Sequence, residues 1–397
     1  MTVPSSVSAL GLSVGLFQPL VLGGAYVDNY SDEVVSYTHE LAADNFYNSA
    51  EIVLQLRDID LTEWLLSGLG RHVRVKSPSQ AIIWEGFVDS LTVSYGGKVY
   101  TVGPLSDIGN RVYVTHTPLY VASSTGFQTR GTSTESAVVN DTTSQALYGI
   151  IEKNLMAGEC IITATLNEAS NLRAAFLAEN TYPKVQGSYS FGGGGSAAEV
   201  TLNCLGYWKW LDFYIYNFRI NNTSFGYVNL NTKVQTVLAA NPNTAIFSTD
   251  YSGLSANTAV GCKQEQNNRT ALAIIKGITA AGDPSGNRWL FGFGEGRKAY
   301  YKPIPTTPVY EYKVYDNEQR MTVYGSDTPI SPWDIAPGQW YETTDTLKPI
   351  TRGSIYSIPT AAFIESIKYV APYGFDLTEG KWSKIGQMLN MKGLGSI

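Results

Sequence analysis

The sequence predicts a mainly β protein with two small α/β inserts, and three observations carry that prediction. Residues 71–95, RHVRVKSPSQAIIWEGFVDSLTVSY, hold two alternating runs around a Ser77-Pro78-Ser79 turn. Val73 and Val75 precede the turn; Ile83, Trp84, Phe87, Val88, Leu91, Val93 and Tyr95 follow it. A period of two is that of a strand with one buried face. Second, 44% of the residues are hydrophobic but only 16% are charged, with 26 Tyr and 38 Gly in 397 residues. Charge well below the roughly 25% of ordinary soluble domains suits β-rich chains whose surfaces become covered in assemblies. Third, strand-like and helix-bearing stretches follow one another in the order β, insert, β, insert, β.

Residues 1–24 contain Leu10, Leu12, Val14, Leu16, Phe17, Leu20, Val21 and Leu22, interrupted by Pro4, Gly11, Gly15, Pro19, Gly23 and Gly24. No basic stretch precedes them, so they do not fit a signal peptide. They are expected to form an N-terminal arm that docks on partner chains and adds little to the core. Residues 25–115 are expected to close a first β-barrel. In it 49–56 alternate as a strand, and Asp60 with Glu63 three residues on opens a short helix. Gly86 inside an apolar run marks a bulge or bend of the kind that closes barrels. Tyr95-Gly96-Gly97-Lys98 reads as a hairpin turn.

Residues 116–199 form the first insert. Asp141 caps a helix expected to reach about Asn154. Asn167 opens a second helix with Leu172, Ala175, Phe176 and Ala178 on its apolar side, ending before Pro183. Gly192 to Gly195 read as a connector, because no Lys-Ser or Lys-Thr follows them to make a phosphate loop. Residues 199–207 then alternate strictly, and 207–216, YWKWLDFYIY, is the most aromatic run. Only Lys209 in it is basic, so it reads as core or protein interface rather than a stacking platform for single-stranded nucleic acid.

Residues 234–305 form the second insert, with a helix over 271–278 and strands over 288–293 and 298–301. Gly292, Gly294 and Gly296 join two strands, whereas a dinucleotide fingerprint joins a strand to a helix. Residues 306–370 return to β, with Pro337-Gly338 turning between strands bearing Trp333 and Trp340, and a strand over 361–370. Segments 200–233 and 306–370 are expected to form a second barrel split by the insert. Residues 371–397 are expected to be a C-terminal partner-binding segment.

The chemistry is sparse. Net charge is -6 with no basic run. This argues against a nucleic-acid binder and suits a neutral or acidic channel that DNA passes through. Cys160, Cys204 and Cys262 lie far apart and read as small apolar core residues. His39, His72 and His116 have no metal-ligand spacing. Glu85, Asp89, Asp107, Asp212 and Glu295 could in principle pair as glycosidase carboxylates, but no spacing selects two of them. None of the histidines sits near a nucleophile elbow. No catalytic, cofactor-binding or metal-binding residue is assigned. No run of ~18 apolar residues is present, so no membrane span is expected.

Several short segments in order carry a family resemblance: 83–88 (IWEGFV), Gly103-Pro104-Leu105 with Asn110-Arg111-Val112, 144–149 (SQALYG), 202–207 (LNCLGY), Asn268-Arg269, Asn287-Arg288-Trp289 and 333–338 (WDIAPG). With the order of strands and inserts over most of 25–345, the chain resembles the tail hub proteins of tailed bacteriophages. These include contractile-tail baseplate hubs and the N-terminal part of siphophage tail-associated proteins. The resemblance implies two tube-type barrels per chain and a homotrimer whose six barrels make a pseudo-sixfold ring. It implies a structural, non-enzymatic virion protein at the tail tip or baseplate, assembled in the host cytoplasm. The implied partners are a tail-tube or distal-tail ring, the C-terminus of the tape-measure protein and a central fibre or spike. DNA would meet it only in transit through the ejection channel. No cofactor is implied. Two alternatives stay open: a carbohydrate-binding tail-tip or fibre protein with Trp208 and Trp210 lining a glycan groove, and a tail-associated hydrolase using two of the carboxylates above.

Overall fold

One long strand, Ile82–Tyr95, organises the fold. Its first half pairs antiparallel with Arg71–Lys76, and its second half pairs with both Glu199–Leu205 and Lys98–Val102. Residues 83–89 are all buried, whereas alternation returns from Ser90 onward. The register slips opposite Asn203 and Cys204, leaving Asp89 as the extra residue. The bulge therefore lies three residues beyond Gly86. Gly86 serves a close approach instead: a Cβ there would lie 2.3 Å from the Leu205 carbonyl oxygen and 2.5 Å from the Trp84 ring. Trp84 and Phe87 are both buried.

The computed structural model describes residues 11–56, 61–121, 126, 128–190, 198–216, 228–259, 269–315, 318–343, 361–371 and 374–380. Sixteen strands among them form one continuous sheet. Its main path runs Tyr26–Asn29, Ser13–Pro19, Arg71–Lys76, Ile82–Tyr95, Glu199–Leu205, Asn45–Gln55, Val34–Ala42, Ala361–Ala371, Trp340–Thr343, Pro308–Tyr315 and Glu318–Val323. Lys98–Val102 with Val185–Tyr189, Trp289–Gly294 with Lys298–Pro303, and Gly374–Glu379 branch from it. Leu16, Val34, Tyr37, Ile52, Leu54, Val73, Trp84, Leu91 and Leu202 share one core, with Trp64 from the helix Leu61–Ser67 packed in. Each such side chain contributes about 1.5–3 kcal/mol on burial. Asp60, the expected cap of that helix, lies outside the described residues.

The expected pair of barrels is replaced by this sheet, in which no closed barrel forms among the described residues. Glu199–Leu205 belongs at its centre, bonded on one side to Asn45–Gln55 and on the other to Ile82–Tyr95. The 306–370 segment joins the same sheet through Ala361–Ala371 on Val34–Ala42. Alternation marks which residues are strands and which face is buried; it does not name the strand alongside.

The N-terminal arm also needs correction. Ser13–Pro19 pairs with Arg71–Lys76, and Leu12, Val14 and Leu16 alternate inward to full burial. Gly15 looked like a breaker, but its bare face lies beneath the Phe17 and Tyr26 rings, which a Cβ would meet at 3.3 and 3.4 Å. Residues 1–10 and 381–397, the rest of the two expected partner-binding termini, lie outside the described residues, as do Gly192 to Gly195 and Cys262.

The first insert has its own five-stranded sheet around Arg111–Val121, with Glu152–Ile162 parallel to it. The helix capped by Asp141 is Thr142–Tyr148, shorter than expected, because Gly149 takes φ +74° and turns the chain into the Glu152–Ile162 strand. Two asparagines hold that turn. Asn110 donates to the Gly149 carbonyl at 2.7 Å and accepts from the Ile151 N–H at 2.8 Å. Asn243 accepts from the Ile150 N–H at 2.8 Å and donates to its carbonyl at 3.0 Å. Helix Glu168–Asn180 starts where expected, with Asn167 accepting from Ser170 N–H, but only Ala169 is buried; Leu172, Ala175 and Ala178 face outward.

In the second insert Leu230–Ala239 packs on Ala271–Ala281, the latter capped by Thr270. The Trp289–Gly294 and Lys298–Pro303 hairpin forms as expected. Trp333 lies in the short 3-10 helix Pro332–Asp334 rather than in a strand. Arg288 ties the hairpin down, donating to both carboxylate oxygens of Glu365 at 2.7 Å and to Asp44 at 3.0 Å. Such two-pronged charged bonds are stronger than neutral ones.

Because Leu16 is a core residue, Leu16→Ala is expected to destabilise the protein by about 2–5 kcal/mol. Deleting residues 1–20 is expected to abolish cooperative unfolding. A thermal melt of the truncated chain with an unchanged sharp transition would restore the arm interpretation.

Candidate functional site

One face of the central sheet is polar and lies outside the core across eight strands. Facing positions follow from register. One row crosses Gln186, Thr101, Thr92, Thr201, Val53 and Ser36. A second crosses Ser90, Asn203, Glu51, Thr38 and Val370, and a third Ser49, Glu40, Lys368 and Asp376. The opposite positions, among them Tyr37, His39, Ile52, Leu54, Leu91, Val93, Val200 and Leu202, fill the core. Adding Glu199 at the row beyond, the face carries the carboxylates of Glu40, Glu51, Glu199 and Asp376 against the ammonium of Lys368. The remaining positions are mostly hydroxyls and amides. The sequence holds part of the signal for this face, since polar residues recur at every second position of 36–40, 49–51 and 199–203. Only the register shows that they form one surface.

The carboxylates singled out from sequence fall into two groups. Asp89, Asp107 and Asp212 share the field of Lys153 and Lys209. Lys209 pairs with Asp212 at 2.8 Å, and Lys153 donates to the Ser106 carbonyl at 2.5 Å. Asp89 is 9% exposed, and burial pushes its carboxyl up to about 6. Lys209 and the Leu105 N–H oppose that rise, and Asp107 adds to it. Glu85 is wholly buried beside Arg74 at 3.5 Å and accepts from the Arg297 N–H at 2.8 Å. Burial raises its pKa, with Arg297 and Arg74 acting against it. Glu295 stands exposed nearby, on the other side of Arg297 in the chain. A glycosidase needs its two carboxyl groups open to one substrate. Glu85 and Asp89 are closed to it, and Asp212 is held by Lys209.

The other candidate groups are structural. Burial lowers His39 and His72 to about 3, so both are neutral at pH 7. His72 meets the Tyr207 hydroxyl and the Gly86 carbonyl, and His116 bonds the Val114 carbonyl at 3.3 Å. Cys160 and Cys204 are free and buried, and burial pushes both thiols up. Among the described residues, no three His, Cys, Asp or Glu side chains gather to hold a metal ion. In the same set no helix is long and apolar enough to cross a membrane.

The aromatic run is not a strand but a 3-10 segment, Tyr207–Asp212. Trp210 is 3% exposed, packed between Phe87 and Phe213 at 5.4 and 5.2 Å, and so cannot line a glycan groove. Trp208 is half-buried, with its indole N–H donating to the Asn48 carbonyl at 3.4 Å and Lys276 over its ring.

No family model and no curated protein matches this chain. Among solved structures, it is similar to the 43 kDa tail protein of prophage MuSo2 from Shewanella oneidensis. The match covers 93% of this chain and 98% of that one, at 6% sequence identity and a TM-score of 0.42. A likeness at that score establishes neither fold nor function.

The Asp89 shift has a signed consequence. Its folded pKa of about 6 exceeds the ordinary aspartate value of about 3.9. The stabilisation it gives is therefore complete below about pH 4 and lost as pH rises through about 6. Asp89→Asn is expected to be more stable than the parent at pH 8, by on the order of 1–3 kcal/mol, with the gap closing below pH ~4. Comparing the two proteins by denaturant melts cancels the opposing acid sensitivity of the buried histidines. An equal gap at both pH values would place Asp89 in an ordinary ionised state.

Proposed function

We propose that this chain is a structural protein of a bacteriophage tail, a trimeric hub that joins the tail tube to threefold tip components and lines part of the DNA channel. The observation that carries the reading is the broad sheet face of hydroxyls, amides and carboxylates. A protein that holds DNA neutralises phosphates with Lys and Arg, releasing counterions. A wall that must let DNA slide needs the reverse, and this face sets four carboxylates against one lysine, with uncharged polar groups between them.

A second feature supports assembly. The first insert exposes Tyr120, Val139, Leu147, Met156, Leu172 and Tyr182, with Met156 74% exposed. Exposed apolar side chains on one insert fit a surface that partners cover. In this reading the insert meets neighbouring tail components: a tube or distal-tail ring, the tape-measure C-terminus, or a central fibre or spike.

In solution the protein is expected to have three times its 43.3 kDa chain mass, as read by light scattering on a sizing column. In particles carrying Glu51→Lys, Thr201→Lys and Asn203→Lys, DNA release is expected to slow and to regain speed as salt is raised. A monomer that stays monomeric with its tail partners present, or release kinetics indifferent to the three lysines, would sink the hub reading.

A further inference from the structure

A cleft unrelated to the sheet face opens between the 289–303 hairpin and the 333–339 segment. Its volume is about 360 Å3. Three half-buried rings, Phe46, Tyr300 and Trp333, line it, together with the side chains of Glu295, Asp334 and Gln339. The Phe46 and Tyr300 rings meet edge to face at 6.2 Å, so their positions are mutually fixed. Tyr300 is anchored by its hydroxyl, which donates to the Ala43 carbonyl at 3.1 Å. By contrast, the side chains of Glu295, Asp334 and Gln339 make no hydrogen bond or ion pair with another described residue. The cleft thus offers aromatic surface that is already ordered and polar groups that are still unspent.

The combination selects a ligand chemistry. A flat apolar ligand would strip water from two carboxylates and an amide without replacing their hydrogen bonds, at a cost for each group. An anion would meet Glu295 and Asp334 with only Lys302 to offset them, and Lys302 lies over the Tyr300 ring at 5.1 Å. A peptide bound by strand addition would need a free strand edge. The edge beside the cleft is taken: Tyr301 N–H donates to Gly253 O at 3.0 Å, and Ser255 N–H donates to Tyr301 O at 2.7 Å. A pyranose meets every condition. Its C–H face is apolar and stacks on a ring. Its hydroxyls each donate and accept, matching carboxylates that only accept and an amide that does both. The cavity lies in the size range of small-ligand sites, roughly 300–1,000 Å3, and at its lower end, as one or two sugar rings require.

We propose that this cleft binds a neutral pyranose of a glycan, with Trp333 as the stacking platform and Glu295, Asp334 and Gln339 as hydroxyl partners. The inference stands independently of the tail reading, because it uses none of the sheet face.

Saturation-transfer NMR on the full-length protein tests it, with the methyl glycosides of glucose, galactose and N-acetylglucosamine as probes. Transfer to at least one is expected. Glu295→Gln and Asp334→Asn change exposed side chains and should leave the thermal melt unchanged. Each is expected to weaken binding roughly tenfold, the scale of one lost charged hydrogen bond. Trp333→Phe keeps a ring in place where Trp333→Ala could fail to fold, and it should weaken binding while shifting which sugar protons receive saturation. Absence of transfer to all three probes overturns the proposal. Undiminished transfer in all the variants does so too, by placing the sugar elsewhere. Transfer confined to a tetramethylammonium probe would make the cleft a cation cage and overturn it as well.

Discussion

Three stretches of backbone meet at Leu205, and they can meet only because glycines stand at 86 and 206. A Cβ on Gly86 would collide with the Leu205 carbonyl, and one on Gly206 would lie 1.8 Å from the carbonyl oxygen of Tyr47. Neither clash could be relieved by rotating a side chain, since each partner is main chain. With hydrogen in both places, Glu199–Leu205 slots between two strands that are distant from it in sequence. Every later feature rests on that insertion. It completes the polar face, brings the Tyr207–Asp212 segment onto the core, and places the Tyr207 hydroxyl against His72. The 3-10 turn that follows carries Lys209 toward Asp89. A local steric allowance in two residues thus sets the course of a sixteen-stranded sheet.

Charge is arranged in keeping with that geometry. Several ionic groups that are buried or partly buried are paired: Glu85 with Arg74, Glu152 with Arg111 at 3.7 Å, and Arg288 with Glu365 and Asp44; among the described residues Asp89 is the buried carboxylate without such a partner. Removing one partner from such a pair leaves the other buried and unpaired, which costs more than the pair contributes. On the face outside, Glu40 accepts from the Asn48 amide at 3.1 Å, while Glu51 and Asp376 stand exposed to solvent. Gathering acidic side chains on one face lets a chain with few charged residues still present a surface of definite sign.

The sequence was informative where the rule is local. The Gly96-Gly97 turn, the helix starts at Asp141 and Asn167, and the hairpin read over 288–293 and 298–301 all follow from short-range chemistry, and they form as read. Leu12, Val14 and Leu16 carried a strand signal as clear as any, but Gly15 and Pro19 masked it. Those two residues break strands in isolation and are tolerated here by the Phe17 and Tyr26 rings and by a position at the strand end. Asp141's helix was read too long because its stop depends on Asn110, some forty residues earlier. The barrel pairing failed for the same reason: partners of Glu199–Leu205 lie about 110 and 150 residues away. The sugar-sized cleft was invisible for a related reason, since Phe46, Tyr300 and Trp333 come from three distant segments.

The turn at 149–151 shows how thin some of these long connections are. Asn243 presents to Ile150 an acceptor and a donor on one flat group, as a neighbouring strand would, and Asn110 does likewise for Gly149 and Ile151. Two side chains thereby stand in for a length of β-ladder at this turn, beside the real ladder that Val185–Tyr189 makes with Lys98–Val102. Size does not fix their identity; the need for both polarities on one planar group does. Deamidation exchanges the NH2 for a negatively charged oxygen of the same volume. At either site it would leave a carboxylate facing a carbonyl, turning a tie into a repulsion. A single lost NH2, with no change in side-chain volume, would therefore loosen this turn.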